Sequence, residues 1–372
     1  MAVIKRVRLS EIAELVTKGT TPTTLGYEFQ DTGVNFLKIE CFSEKGDYIQ
    51  NKATHISEEC HEKLKRSQLK EGDILFSIAG VIGRVAIVTR NMLPANINQA
   101  LAIIRIKKDD IYLPYVKLIL TSPLIKKQFE RKKQGVAQLN ISLKDINDLE
   151  IPLPEIGKQI EYANSFKKVE KLIYTRQYQL QKLDELVKAR FVELFGDTVL
   201  NPFGWEKALL STVCDVRDGT HDSPSYYETG YPLVTSKNVS SGKINLTDCS
   251  LICESDFKKI NERSKVDTGD IIMPMIGTIG KPVIVDIEPN FAIKNVALIK
   301  FKDSSRVLNA YVRALLMSDY FEDAVLSKVR GGTQKFISLG DIRKLCVLVP
   351  PMEKQEQFVM FVNQVDKSKV VA

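Results

Sequence analysis

Glu155 to Gly196 reads EIGKQIEYANSFKKVEKLIYTRQYQLQKLDELVKARFVELFG, with no Gly or Pro between Lys158 and Phe195. Tyr162, Phe166, Val169, Ile173, Arg176, Leu180, Leu183, Val187, Arg190 and Leu194 recur in steps of four and three. That is a heptad seam, broken only by its two arginines. At a rise of 1.5 Å per residue the helix spans about 60 Å, which no single globular domain encloses. The stretch therefore predicts a spacer whose apolar seam needs a partner helix.

What precedes the spacer is written again after it. Leu9 to Val16 (LSEIAELV) reads as a short amphipathic helix capped by Ser10, followed by the turn Lys18-Gly19-Thr20-Thr21-Pro22. Leu210 to Val216 and Asp218-Gly219-Thr220-His221-Asp222-Ser223-Pro224 open the second half in the same way. The β-rich segments Val34 to Ile39 and Tyr231 to Lys237 follow, each leading to a turn at Gly46 or Gly242. Glu71 to Arg84 (EGDILFSIAGVIGR) is then matched by Thr268 to Lys281 (TGDIIMPMIGTIGK) at an offset of 197 residues. Three later pairs hold an offset of 196: Ile97 to Ile104 with Ile293 to Lys300, Tyr115 to Leu120 with Tyr311 to Leu316, and Gly135 to Leu143 with Gly331 to Leu339. Each copy closes on a strand ending in proline and a helix that begins Lys158-Gln159 or Lys354-Gln355.

A near-constant offset through so many landmarks identifies a duplication. The expected fold is α+β: two tandem domains of mixed β-sheet and helices, separated by a long helix that pairs antiparallel with a C-terminal helix. The boundaries are 1–154 for the first domain, 155–196 for the spacer, 197–351 for the second domain and 352–372 for the closing helix. That closing helix matches only about half of the spacer's length. The distal seam, around Leu183, Val187, Arg190 and Leu194, is expected to stay open for a docked subunit or for self-association with a second copy.

Composition sets outer limits. The chain has 372 residues, 44% hydrophobic and 27% charged, which fits folded globular domains. No apolar run approaches the roughly 20 residues of a membrane span, and no signal-peptide core follows Met1, so a cytoplasmic protein without membrane partners is expected. Six scattered cysteines suggest reduced thiols rather than a disulfide framework. A net charge of +7 is compatible with a polyanionic partner without requiring one.

In order and duplication these motifs resemble the specificity subunit of type I restriction-modification systems. The resemblance rests on the Gly-Thr turns followed by proline, the Gly-Asp-Ile and Gly-x-x-Gly segments, the Gln-x-x-Ile-Ser-Leu segments, and the junction Leu194-Phe195-Gly196-Asp197 with Asn201-Pro202-Phe203-Gly204-Trp205. It implies two target-recognition domains that each read one half of a split double-stranded DNA target, with helices that set the spacing. It further implies docking of two methylation subunits, which recruit restriction subunits. S-adenosylmethionine, ATP and magnesium would then belong to those partners, with no cofactor on this chain.

For DNA reading, bases and small hydroxyls on turns are the relevant groups. Lys18, Thr20, Thr21, Thr220 and His221 lie on the paired turns, where DNA contact competes with a purely structural role. Arg84 and Lys281 each end a Gly-x-x-Gly loop, and Lys38 and Lys237 end corresponding strands. Lys132, Lys133, Gln138 and Asn140 are echoed by Arg330, Thr333, Gln334 and Lys335, a basic, amide-bearing stretch in both copies; its alternative is a solvated helix face. Catalytic and metal-binding residues are not expected. His55, Cys60 and His61 have no counterpart in the second copy. Asn201-Pro202-Phe203 lacks both the second proline of an amino-methyltransferase loop and a glycine-rich cofactor segment upstream. A modification enzyme with a degenerate site and a protein-only scaffold are the competing readings.

Overall fold

The computed structural model describes residues 4–107, 110–131, 141–240, 242–275, 282–302, 304–321, 323 and 337–371. The first copy supplies strands β1 (Arg6–Arg8), β2 (Ala13–Lys18), β3 (Val34–Leu37), β4 (Thr54–Ile56), β5 (Ile74–Ser77), β6 (Val85–Ile87), β7 (Ala95–Ile97), β8 (Leu101–Ile106) and β9 (Glu150–Pro152). The second supplies β10 (Glu206–Leu209), β11 (Asp215–Asp218), β12 (Tyr231–Val234), β13 (Ser250–Ile252), β14 (Ile271–Pro274), β15 (Val283–Ile284), β16 (Ala292–Ile293), β17 (Val296–Lys300) and β18 (Cys346–Val349).

Their pairing is the same in both copies. The four-stranded sheets run β2-β8-β5-β6 and β11-β17-β14-β15, the three-stranded sheets β4-β3-β7 and β13-β12-β16, and the ribbons β1-β9 and β10-β18. Within each three-stranded sheet the inner strand has one antiparallel neighbour and one parallel neighbour, β7 or β16. Period-2 alternation divides each four-stranded sheet between two cores. In the first copy Ile74, Phe76 and Ile104 pack under helices with Val116 and Ile146, while Leu75 and Ile103 meet Leu37 and Ile97 of the three-stranded sheet. Ile271 and Met273 against Ile272 repeat that division in the second.

The duplicated motifs now have physical roles. Gly72 and Gly269 take positive φ (88° and 92°) at the turn into β5 and β14, where a side chain would be strained. The next residue, Asp73, accepts from the Lys70 amide at 2.7 Å and pairs with Arg105 on β8 through two 2.7 Å bonds. Asp270 likewise accepts from the Asp267 amide at 2.8 Å and from Lys300 on β17 at 2.6 Å. Ser142 and Ser338 cap the helices Leu143–Asn147 and Leu339–Arg343 by accepting from the amides of Asp145 and Asp341. Gln159 and Gln355 are locks at the roots of the two long helices. Gln159 accepts from the Tyr112 amide and donates to the carbonyls of Asp110 and Pro154; Gln355 does the same with Leu308, Arg306 and Pro350.

Two local expectations change. The helix at Leu9–Ile12 is a single turn, its N-cap is Arg8 rather than Ser10, and β2 begins at Ala13 because Val16 and Thr17 pair with β8. Lys237 does not end a strand: β12 stops at Val234 and Lys237 lies in the short helix Ser236–Val239.

The spacer helix spans Ile156–Phe195 and the closing helix Met352–Val371. The chain divides into two compact units at Ile173 and Tyr174, within the spacer helix. In the second unit the two helices run antiparallel. Phe358 meets Phe195 and Phe191 at 5.5 and 5.6 Å between ring centroids, and Lys369 bridges Asp184 at 2.8 Å. This corrects the expectation of an open distal seam. Leu194 is buried and Val187 packs against the same core; Leu183 and Arg190 are half-buried, with the Arg190 guanidinium over Phe361 and paired to Glu193. The second domain starts where the spacer ends, so a helix leaving that domain must begin beside Phe195 and run back. The exposed part of the seam is therefore Tyr162, Phe166, Val169, Ile173 and Leu180.

Candidate nucleic-acid interface

Each Gly-Thr turn lies across the end of the parallel strand of its three-stranded sheet. A Cβ on Gly19 would sit 1.9 Å from the Ile97 carbonyl oxygen, and one on Gly219 2.4 Å from that of Ile293. Only glycine permits that approach. The turn side chain is then tied to an amide beyond the strand: Thr21 donates to the Gln99 side-chain oxygen, and His221 Nδ1 lies 2.9 Å from the Asn295 side-chain oxygen. In the second copy the backbone adds two bonds, Thr220 N to Ile293 O at 3.0 Å and Asn295 N to Thr220 O at 3.1 Å.

On this shared frame the charges differ. The first turn starts with Lys18; strand β2 passes beside the 65–67 turn, which carries Arg66. Both bases are exposed and take no ion-pair partner among the described residues. The second turn starts with Asp218, whose carboxylate is 8% exposed. One of its oxygens accepts from Arg263 Nη2 and the other lies 2.8 Å from His221 Nε2. The bond to Asn295 and then the Asp218 carboxylate raise the imidazole pKa above its ordinary value, favouring the cation that donates at both nitrogens. A cleft of about 370 Å³ opens between this turn and the helix Glu254–Ser264.

The chain matches the model of the type I restriction modification DNA specificity domain twice, over residues 3–185 and 202–370. It belongs to that specificity family. Its similarity to the MjaVIII specificity subunit of Methanocaldococcus jannaschii is 26% identity over 69% of this chain and 64% of that relative, just under two-thirds of its length. The MjaIX specificity subunit of the same organism is 23% identical over 94% of this chain and 84% of its own. A solved chain from work on complex assembly and conformational transition of the type I R-M system shares the fold with a TM-score of 0.59, at 18% identity over 99% of this chain and 91% of that one.

Within this specificity-family frame the sequence-derived residues separate into groups. Lys18, Thr20 and Thr21 lie together on the first turn, Thr220 and His221 on the second. His221, with both ring nitrogens engaged, braces its turn. Arg84 Nη1 donates to the carbonyls of Phe42 (2.8 Å) and Ile39 (3.3 Å), so this guanidinium is a strut between loops. Lys38 stacks its ammonium over Phe29 at 4.6 Å, and Lys237 is exposed. Lys132, Lys133, Gln138, Asn140, Lys281, Arg330, Thr333, Gln334 and Lys335 lie outside the described residues. Among the described residues no His, Cys, Asp or Glu group is arranged to hold a metal, and no helix is long and apolar enough to cross a membrane. Sequence reading passed over Asp218, Arg263, Asn295 and the pair Arg66/Arg263. The last could have been found, since Arg66-Ser67 and Arg263-Ser264 also stand 197 residues apart.

Proposed function

We propose that this chain is the DNA-reading subunit of a type I restriction-modification complex, each domain binding one half of a bipartite duplex target while the helices fix the gap. The observation that carries this reading is the glycine-pinned turn, present on one frame in both copies and furnished with different side chains in each. A constant frame with exchangeable polar groups is what independent reading of two half-sites requires. The chain itself has no catalytic role. S-adenosylmethionine, ATP and magnesium act on two methylation subunits and on the restriction subunits they recruit, in the cytoplasm.

The stripe from Tyr162 to Leu180 is where a partner helix docks. Lys158, Lys167, Lys168, Lys171 and Arg176 outnumber Glu161 and Glu170 around it, so an acidic partner fits this face better than a second copy of the same chain. The reading is tested by replacing residues 1–154 with another first domain of the family and sequencing methylated bases in cells that co-express the methylation subunits. One half of the methylated target should change and the other persist. Change in both halves would end the two-reader picture.

A further inference from the structure

We infer that Arg263 is a base-reading residue of the second domain, aimed by Asp218 at a guanine edge, whereas Lys18 and Arg66 of the first domain hold backbone phosphate. This rests on the DNA-reading function proposed above and assigns a residue to it. Arg263 is fixed at both ends. Its backbone carbonyl accepts from Arg217 Nη1 at 3.0 Å, and Arg217 is itself held by Asp215 through bonds of 3.0 and 2.7 Å. Its guanidinium is held by Asp218, which is anchored in turn through His221 to Asn295. The following residue, Ser264, is buried and bonded to the Ile260 carbonyl.

Yet the Arg263 side chain is 69% exposed and lines the cleft, so part of its planar fork faces solvent in a set orientation. A guanidinium positioned this way matches the paired acceptors O6 and N7 of guanine, and fixing it beforehand removes much of the entropic cost of that contact. The cleft offers phosphate no net positive charge. Asp222 and Asp256 line it with Lys259, Arg263 and His221, and the last two share the Asp218 carboxylate. In the first copy Lys18 replaces Asp218, so among the described residues no carboxylate aims Arg66, and the Gly-Thr turn and the neighbouring 65–67 turn each carry a base without an ion-pair partner. Such exposed cations suit phosphates and carry no sequence information.

The test uses the full chain assembled with methylation subunits and a duplex library randomised through both half-sites, selected at several salt concentrations. The wild-type assembly should yield a bipartite consensus; absence of any salt-dependent duplex binding would sink the DNA-reading proposal itself. Arg263→Ala should cost on the order of ten-fold or more in preference for one guanine of one half-site and leave the other half intact. Arg263→Lys keeps the charge beside Asp218 without the fork and should lose the same preference, which separates reading from folding. Arg66→Ala should weaken all sequences alike and flatten the dependence of log K on log salt by about one unit. A sequence-independent loss with a flatter salt slope in Arg263→Ala would make it a phosphate contact, and an unchanged consensus in Arg263→Lys would equally overturn the assignment.

Discussion

The two domains share their interior and differ at their reading turns. Sheet order, the Gly-Asp turn with its cross-strand cation, the Ser cap and the glutamine lock recur side chain for side chain, with lysine replacing arginine as the cation in the second copy. At the turn, Lys18 with an Arg66 that has no ion-pair partner among the described residues stands where the second copy has Asp218 with bound Arg263. Asp73, Asp270, Gln159 and Gln355 of the frame are buried and bonded within it, so changing a partner leaves an orphan. Lys18, Thr20 and His221 on the turns face water and can be exchanged at little cost to folding, whereas Asp218 is buried beneath its turn. Exchanging what is read without disturbing the frame is physically available to this architecture.

The glycine turns offer the strongest way to break the parallel. Gly19→Ala and Gly219→Ala each force a methyl into a backbone carbonyl and should cost about 3 kcal/mol or more, with Gly19 the worse because its approach is 1.9 Å against 2.4 Å. Thermal unfolding of both variants decides this; a neutral Gly219→Ala would mean that the second frame yields where the first does not. Next come the locks. Gln159→Ala and Gln355→Ala each strand one amide and two carbonyls and should cost about 2 kcal/mol apiece. Denaturant titration should give equal losses, and a several-fold disparity would show that the two helix roots are not equivalent.

The smallest effect is a pH dependence confined to the second copy. His221 has a folded pKa raised above 6.5, so its contribution is complete below the unfolded value and is lost as pH rises through the folded value. With the side chain 60% exposed, the contribution is discounted to about 0.5 kcal/mol. Comparing wild type with His221→Gln across that window should reveal it; the first copy carries Thr21 at this place and adds nothing. Equal pH profiles for wild type and variant would remove His221 as the brace.

Much of the fold was legible because its signals are local or periodic. The duplication, the glycine turns and the 40-residue helix follow from spacing alone. The opening helix is shorter than its pattern predicts: Leu9 to Val16 has helical spacing, but pairing with β8 turns its second half, from Ala13, into strand. The candidate site was only half legible. The turn residues were found, while the side chain that decides their chemistry, Arg263, lies 45 residues along the chain from Asp218.

By itself the sequence determined that one α+β unit is used twice around a helical spacer, since repeated motifs and heptad spacing are properties of order along the chain. Only the tertiary structure decided which half of the spacer is covered and which turn charges cancel. The closing helix starts beside Phe195 and so buries Leu194 rather than Phe166, and Asp218 meets Arg263 because the turn that follows β11 and the helix Glu254–Ser264 line the same cleft. Contacts between distant segments depend on how elements are stacked, and no spacing rule within a single segment contains that information.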